Sequence, residues 1–152
     1  MQMRRKDKLM EENELEIVLK DTDYGILGTY GENDFPYAVP VNFVYKDNKI
    51  YLHGTNAKGH KNINLKKCPR VSFTVVRNSE IMPENFNTKF ESVICFGNIC
   101  IVEDEKEKIL RLFLEKYSKN FIEKGVEYIN KAIDNVCVYE IDILEKTGKI
   151  KQ

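Results

Sequence analysis

The run from Pro36 to Tyr45 leaves this chain few ways to fold. Its residues alternate strictly, with Tyr37, Val39, Val41, Phe43 and Tyr45 on one face and Ala38, Pro40, Asn42 and Val44 on the other. A period of two belongs to a β-strand with one buried side. Asp47-Asn48 follows, a pair that tolerates positive φ, and then a second apolar run from Lys49 to His53. Strand, tight turn and strand read as a hairpin. Pro40 has no N–H to give to a ladder. It therefore marks an edge, a bulge, or a place where a ligand stands in for a neighbouring strand.

The same pattern continues along the chain. Tyr24 to Tyr30, Arg70 to Arg77, Phe90 to Val102 and Val136 to Ile143 read as strands, with Gly97 as a bend or bulge. Glu11 to Lys20 has the apolar spacing of a helix, with Leu15, Val18 and Leu19 on one side. Lys58 to Cys68 reads as a short helix stopped by Pro69. Glu103 to Lys119 is an amphipathic helix that turns Ile109, Leu110, Leu112, Phe113 and Tyr117 inward, and Ile122 to Ile133 is a further helix. Asn78 to Thr88 is expected to be a loop around Pro83. About six strands joined mostly by hairpins predict a mainly β protein, an antiparallel β-barrel with peripheral helices, in a single domain over residues 1–152.

Composition narrows the function. Lys plus Arg number 24 and Asp plus Glu number 24, so the formal net charge is +0. A general nucleic-acid or acidic-membrane binder would need a basic excess. No apolar run approaches the roughly 20 residues that span a bilayer. The charged start, MQMRRKDKLMEEN, lacks the apolar centre of a signal peptide, so a cytoplasmic protein is expected. Cys68, Cys95, Cys100 and Cys137 show no metal-binding spacing. Cys95 and Cys100 fall on opposite faces of one strand, about 16 Å apart at strand rise, too far for a disulfide. All four are expected to be reduced and mostly buried.

The chemistry concentrates just after the hairpin. The segment HGTNAKGHKNIN places Lys58, His60 and Lys61 where a helix begins. A helix start carries unsatisfied N–H groups and partial positive charge, and Gly54 and Gly59 let backbone approach an anion. Neither the GxxxxGK[ST] nor the GxGxxG order is present, so this is neither of those phosphate motifs. The alternative is a solvated basic loop capping a small helix. His53, at a strand end beside Gly54, is either an ordinary hydrogen-bonded histidine or a donor to a bound heterocycle. No serine sits in a GxSxG context.

The succession PYAVPVNFVY, KIYLHG, GHKNINLKKCPRVSFTV, FESVICFGNICIVED and TGK resembles the nitroimidazole-resistance (Nim) proteins. These lie within the pyridoxamine-phosphate-oxidase-like, FMN-binding split-barrel superfamily. The resemblance spans nearly the whole chain. It implies a six-stranded antiparallel split β-barrel, a homodimer, and FMN in two equivalent sites at the dimer interface. By position, Val39, Pro40, Val41 and Asn42 would lie along the isoalloxazine, largely through backbone. His53 and Gly54 would lie near the ribityl chain or ring, and Lys58, His60 and Lys61 would hold the phosphate. Ser92 and Val93 would contribute nearby, from the same or the partner subunit. FAD shares the first phosphate and fits the same residues.

The implied activity is that of an FMN-dependent oxidoreductase, nitroreductase-like, acting on a small, flat, electron-poor molecule, with His53 as the catalytic candidate. Two alternatives remain: a flavin-binding carrier, store or sensor without turnover, and a structural dimer that binds no flavin. Pyridoxamine-phosphate oxidases resemble one another in an Arg-rich C-terminal segment. This chain ends DILEKTGKIKQ, with no arginine after Arg111, which disfavours vitamin B6 oxidation.

Overall fold

A computed structural model describes residues 6–31, 34–55 and 59–151; the side chains of Lys6, His60 and Lys61 lie outside what is described. The strands are β1 (Tyr24–Tyr30), β2 (Pro36–Asn42), β3 (Val44–Lys46), β4 (Lys49–Thr55), β5 (Arg70–Met82), β6 (Asn87–Val102) and β7 (Val136–Lys151). The helices are α1 (Glu12–Asp21), α2 (His60–Lys67), α3 (Lys106–Tyr117) and α4 (Ile122–Ala132). All seven strands form one antiparallel sheet in the order β2-β1-β5-β6-β7-β4-β3.

That order explains the shape. β2 and β3 are separated in sequence by Phe43 alone, yet they end opposite sides of the sheet. One residue cannot span an open sheet, so the sheet must curl until its two ends meet. The result is a barrel with a seam, a split barrel.

Six strands were expected and seven are found. The expected strand over Pro36 to Tyr45 breaks at Phe43, whose ring is fully buried and packs edge-on to Phe73 at 4.9 Å. Its main chain is bonded to Tyr117 from α3 rather than to a strand (below). The expected loop from Asn78 to Thr88 is also corrected. β5 and β6 run on as a ladder through Glu80↔Lys89, Ile81↔Thr88 and Met82↔Asn87, with a register shift after Arg77. Asn78 takes positive φ at that shift, and Phe86 does so in the turn. β7 likewise extends to Lys151.

The local signals held elsewhere. Asp47 and Asn48 both have positive φ, the requirement of a tight hairpin turn. Gly97 lies at a register shift of β6 against β7, where an added Cβ would overlap the Asp142 carbonyl oxygen. Helix α1 starts with a capping box in which the Glu11 N–H donates to Glu14 Oε2 at 2.7 Å. Pro40 sits on an edge strand, since β2 has β1 as its one sheet neighbour.

Two apolar cores result. Leu27, Phe43, Ile50, Leu52, Phe73, Val75, Val93 and Ile141 fill the barrel, closed by Leu15, Val18 and Leu19 of α1. On the outside of the sheet, Ile109, Leu110 and Phe113 of α3 and Ile129 of α4 cover Val44 and Val138. Leu112 is only half-buried and Tyr117 is partly exposed, so the inward face of α3 is narrower than expected. The four thiols are free, but only Cys95 is buried; Cys100 is exposed, and Cys68 and Cys137 are intermediate. Alternation along β6 sends Cys95 into the barrel and Cys100 out of it. Burial pushes the Cys95 thiol up to about 12. No helix among the described residues is long and apolar enough to cross a membrane.

Candidate functional site

Strand alternation sets the direction of His53. Leu52 before it is fully buried in the barrel, so His53 points to the outer face, toward α3. Its ring meets Phe113 edge-to-face, with centroids 4.6 Å apart and planes at 84°. Phe113 in turn stacks with Tyr117 at 6.1 Å and 22°.

These rings border a pocket of about 320 Å³ between the sheet and helices α3 and α4. Its walls are Leu110, Phe113, Leu114, Tyr117 and Ser118 of α3 and the residue after it, Tyr128, Ile129 and Ala132 of α4, and Val136 of β7. Asn42 and His53 reach it from β2 and β4. The seam of the barrel thus brings together two residues expected at one ligand. The Asn42 amide is anchored by donating from Nδ2 to the Asp23 carbonyl oxygen at 3.1 Å.

The remaining expected residues fall in three places. Val39 and Val41 pack against the barrel core, while Pro40 faces outward on the edge strand. Gly54 is half-buried opposite Cys137 of β7. Lys58 lies outside the described residues, and for His60 and Lys61 only the backbone, in the first turn of α2, is described.

Helix α2 itself is firmly seated. Asn64 is almost fully buried and donates from Nδ2 to Thr29 Oγ1 at 3.0 Å. Tyr139 donates from its hydroxyl to Asn62 Oδ1 at 2.6 Å, and burial raises its pKa. Its N-cap, Gly59, is extended backbone with no side-chain cap. Among the described residues, nothing lies within 4 Å of where a Cβ on Gly59 would stand. The described residues therefore make no packing demand for glycine there.

Ser92 and Val93 lie apart from these residues. Along β7, His53 faces Val138 whereas Ser92 faces Lys149, near the other end of that strand. Eleven residues of strand, about 36 Å of path, separate the two positions. The Val93 side chain is completely buried in the barrel, so only its main chain could meet a ligand.

Sequence reasoning missed Lys116 and assigned Tyr117 only to the core. Lys116 Nζ donates to the Thr22 carbonyl oxygen at 2.6 Å and to that of Phe43 at 3.0 Å, and lies 4.1 Å from the Phe43 ring centroid. Burial pushes its ammonium down to about 8, with Asp23 and Asp21 pulling the other way. Burial raises the pKa of Tyr117. Nothing local marks these partners, because Phe43 is about 70 positions away in the chain. No group of three or more metal-ligating side chains occurs among the described residues.

Known proteins share this architecture. A candidate 5-nitroimidazole antibiotic resistance protein from Bacteroides thetaiotaomicron superposes with a TM-score of 0.76 at 24% identity, covering 93% of this chain and 86% of that one. A conserved hypothetical protein from Mycobacterium tuberculosis gives a TM-score of 0.83 at 20% identity, with 98% and 90% covered. An FAD-binding protein from Mesorhizobium loti gives 0.67 at 19% identity, with 95% and 98% covered. At these identities the likeness speaks for the fold alone. A search of curated proteins found no match. Residues 11–150 match the pyridoxamine 5′-phosphate oxidase family, and with the split barrel in place, the chain belongs to that family.

Proposed function

We propose that this protein is a flavoprotein oxidoreductase of the nitroimidazole-reductase type that binds FMN and works as a homodimer on a small, flat, electron-poor substrate. The observation that carries this reading is the short path from His53 and Gly54, at the end of β4, to the uncapped N-terminal turn of α2 at Gly59. A strand-end histidine and an open anion corner within a few residues suit a cofactor with a ring at one end and a phosphate at the other. The family membership and the FAD-binding relative lend support. When bound, FMN supplies reversible storage of two electrons.

The chain's own groups would do the rest. The α2 amides, Lys58 and Lys61 would hold the phosphate. The edge of β2 from Val39 to Asn42 would offer main chain along the ring, where Pro40 removes one competing donor. His53 would donate to the ring or the substrate. No arginine occurs between Leu112 and Gln152, which departs from the Arg-rich segment in which pyridoxamine-phosphate oxidases resemble one another.

A homodimer supplies the missing half. Ser92 and Val93 cannot easily meet the same ligand as His53 of their own chain, but a second copy could bring them there. The outer face of the sheet carries Ile26, Val76, Phe96 and Leu144 exposed, and Leu144 is 68% accessible. A broad exposed apolar face suits a permanent interface. Mass analysis of the ligand released from purified protein tests the cofactor, with FMN expected. Protein that stays colourless after FMN is added would end the flavin reading. Anaerobic reduction followed by mixing with a nitroimidazole or a quinone tests turnover; an unchanged reduced flavin would leave a binding module without reductase activity. Light scattering on the eluted protein tests the dimer, and a monomer would refute it.

A further inference from the structure

The pocket beneath α3 and α4 has a chemical character of its own. Among the described residues, no lysine, arginine, aspartate or glutamate lines it. Its described walls include Leu110, Phe113, Ile129 and Val136, with polar side-chain atoms from Asn42, His53, Ser118 and two tyrosines. The neighbouring cation, Lys116, is turned away to the carbonyl oxygens of Thr22 and Phe43. An anion placed here would lose its hydration and meet no opposite charge from the described walls, which costs several kcal/mol. The rings of His53, Phe113 and Tyr117 pack on one another in turn and border this space, an aromatic lining suited to a flat guest. At about 320 Å³ the space stands at the low end of ligand pockets, enough for a compound of one or two rings.

We propose that this pocket is the substrate-selecting chamber of the protein, and that it admits small, uncharged, planar ring compounds and rejects anionic ones such as pyridoxamine 5′-phosphate. Phe113 and Ala132 set its size from the two helices. His53 and Asn42 orient the guest by hydrogen bonds from the sheet side. The chamber's role as a substrate site rests on the flavin reading above; its capacity to bind such a ring does not, because it is built entirely from one chain.

Ligand-observed NMR with 2-methyl-5-nitroimidazole, menadione and pyridoxamine 5′-phosphate decides the matter, on protein with and without FMN. The two neutral rings should bind, and the phosphate should bind at least tenfold more weakly. Ala132→Phe fills the chamber from α4 and should weaken the neutral rings at least tenfold while FMN affinity holds. If that variant does not fold by circular dichroism, the milder Ala132→Leu replaces it. Equal affinity for the phosphate and the neutral rings in the wild type would overturn the proposal. So would unchanged neutral-ring binding in a folded filled variant. Protein that binds the rings but never takes FMN would keep the chamber and end the flavin reading. Protein that takes FMN but no neutral ring would do the reverse.

Discussion

The hydroxyl of Tyr117 accepts a hydrogen bond from the Phe43 N–H at 3.0 Å and lies 2.7 Å from the Phe43 carbonyl oxygen. The same hydroxyl is 2.6 Å from the carbonyl oxygen of Asp23. Phe43 is where the chain leaves one end of the sheet and enters the other. Tyr117 and its neighbour Lys116 in α3 therefore share in satisfying the main chain at the seam of the barrel, Tyr117 doing so at the wall of the pocket that holds Asn42 and His53.

Tyr117→Phe removes that hydroxyl and leaves a part-buried N–H without its partner. We expect a loss of about 1–3 kcal/mol in stability by urea unfolding. The amide of Phe43 should also exchange with solvent faster. Unchanged protection of that amide would show that the seam is held by something else.

Lys116 gives a pH signature. Its folded-state pKa of about 8 lies below the ordinary 10.5, so between those values the unfolded chain holds the proton that the folded chain has lost. Stability from this group should therefore rise as pH climbs from 8 toward 10.5, the charged form being penalised below that range. Lys116→Met removes this titrating group. The stability difference, wild type minus variant, should grow across that interval; a flat difference would contradict the argument.

Gly97 tolerates no side chain. An added Cβ would overlap the Asp142 carbonyl oxygen and stand 2.8 Å from Ile141 Cγ2. Backbone on both sides of the bulge would have to shift. Gly97→Ala should cost roughly 1–3 kcal/mol, read as a lower urea midpoint at constant slope. An unaltered midpoint would mean that β6 and β7 part easily there.

Lys61→Ala tests the anion corner. If the α2 start holds a phosphate, loss of a charged hydrogen bond should weaken FMN by roughly 10- to 150-fold and barely affect riboflavin, which has no phosphate. Fluorescence titration with both flavins reads the difference. Equal losses would place the phosphate elsewhere.

How far the fold could be read in advance varied by element. The hairpin at Asp47-Asn48 and the stop at Pro69 depend on residues adjacent in the chain, and the bulge at Gly97 is marked by the glycine itself; all three stand as expected. The seventh strand was hidden because apolar alternation continues straight through Phe43; the break comes from Tyr117, 74 residues away. The ladder from Asn78 to Met82 was hidden because its polar residues look like a loop until Asn87 to Lys89 pair with them. Among the candidate site residues, the grouping of His53 with Asn42 rests on the closing of the seam, and their aromatic neighbours arrive on helices far along the chain.

Period and turn chemistry act over a few residues, so the order of amino acids alone determined a mainly antiparallel β chain with helices around it. Which strands meet, where the barrel parts, and which way His53 faces were decided only in three dimensions. Those outcomes depend on the balance of burial and hydrogen bonding between distant segments, and Phe43 shows it: its ring is taken by the barrel and its backbone by Tyr117.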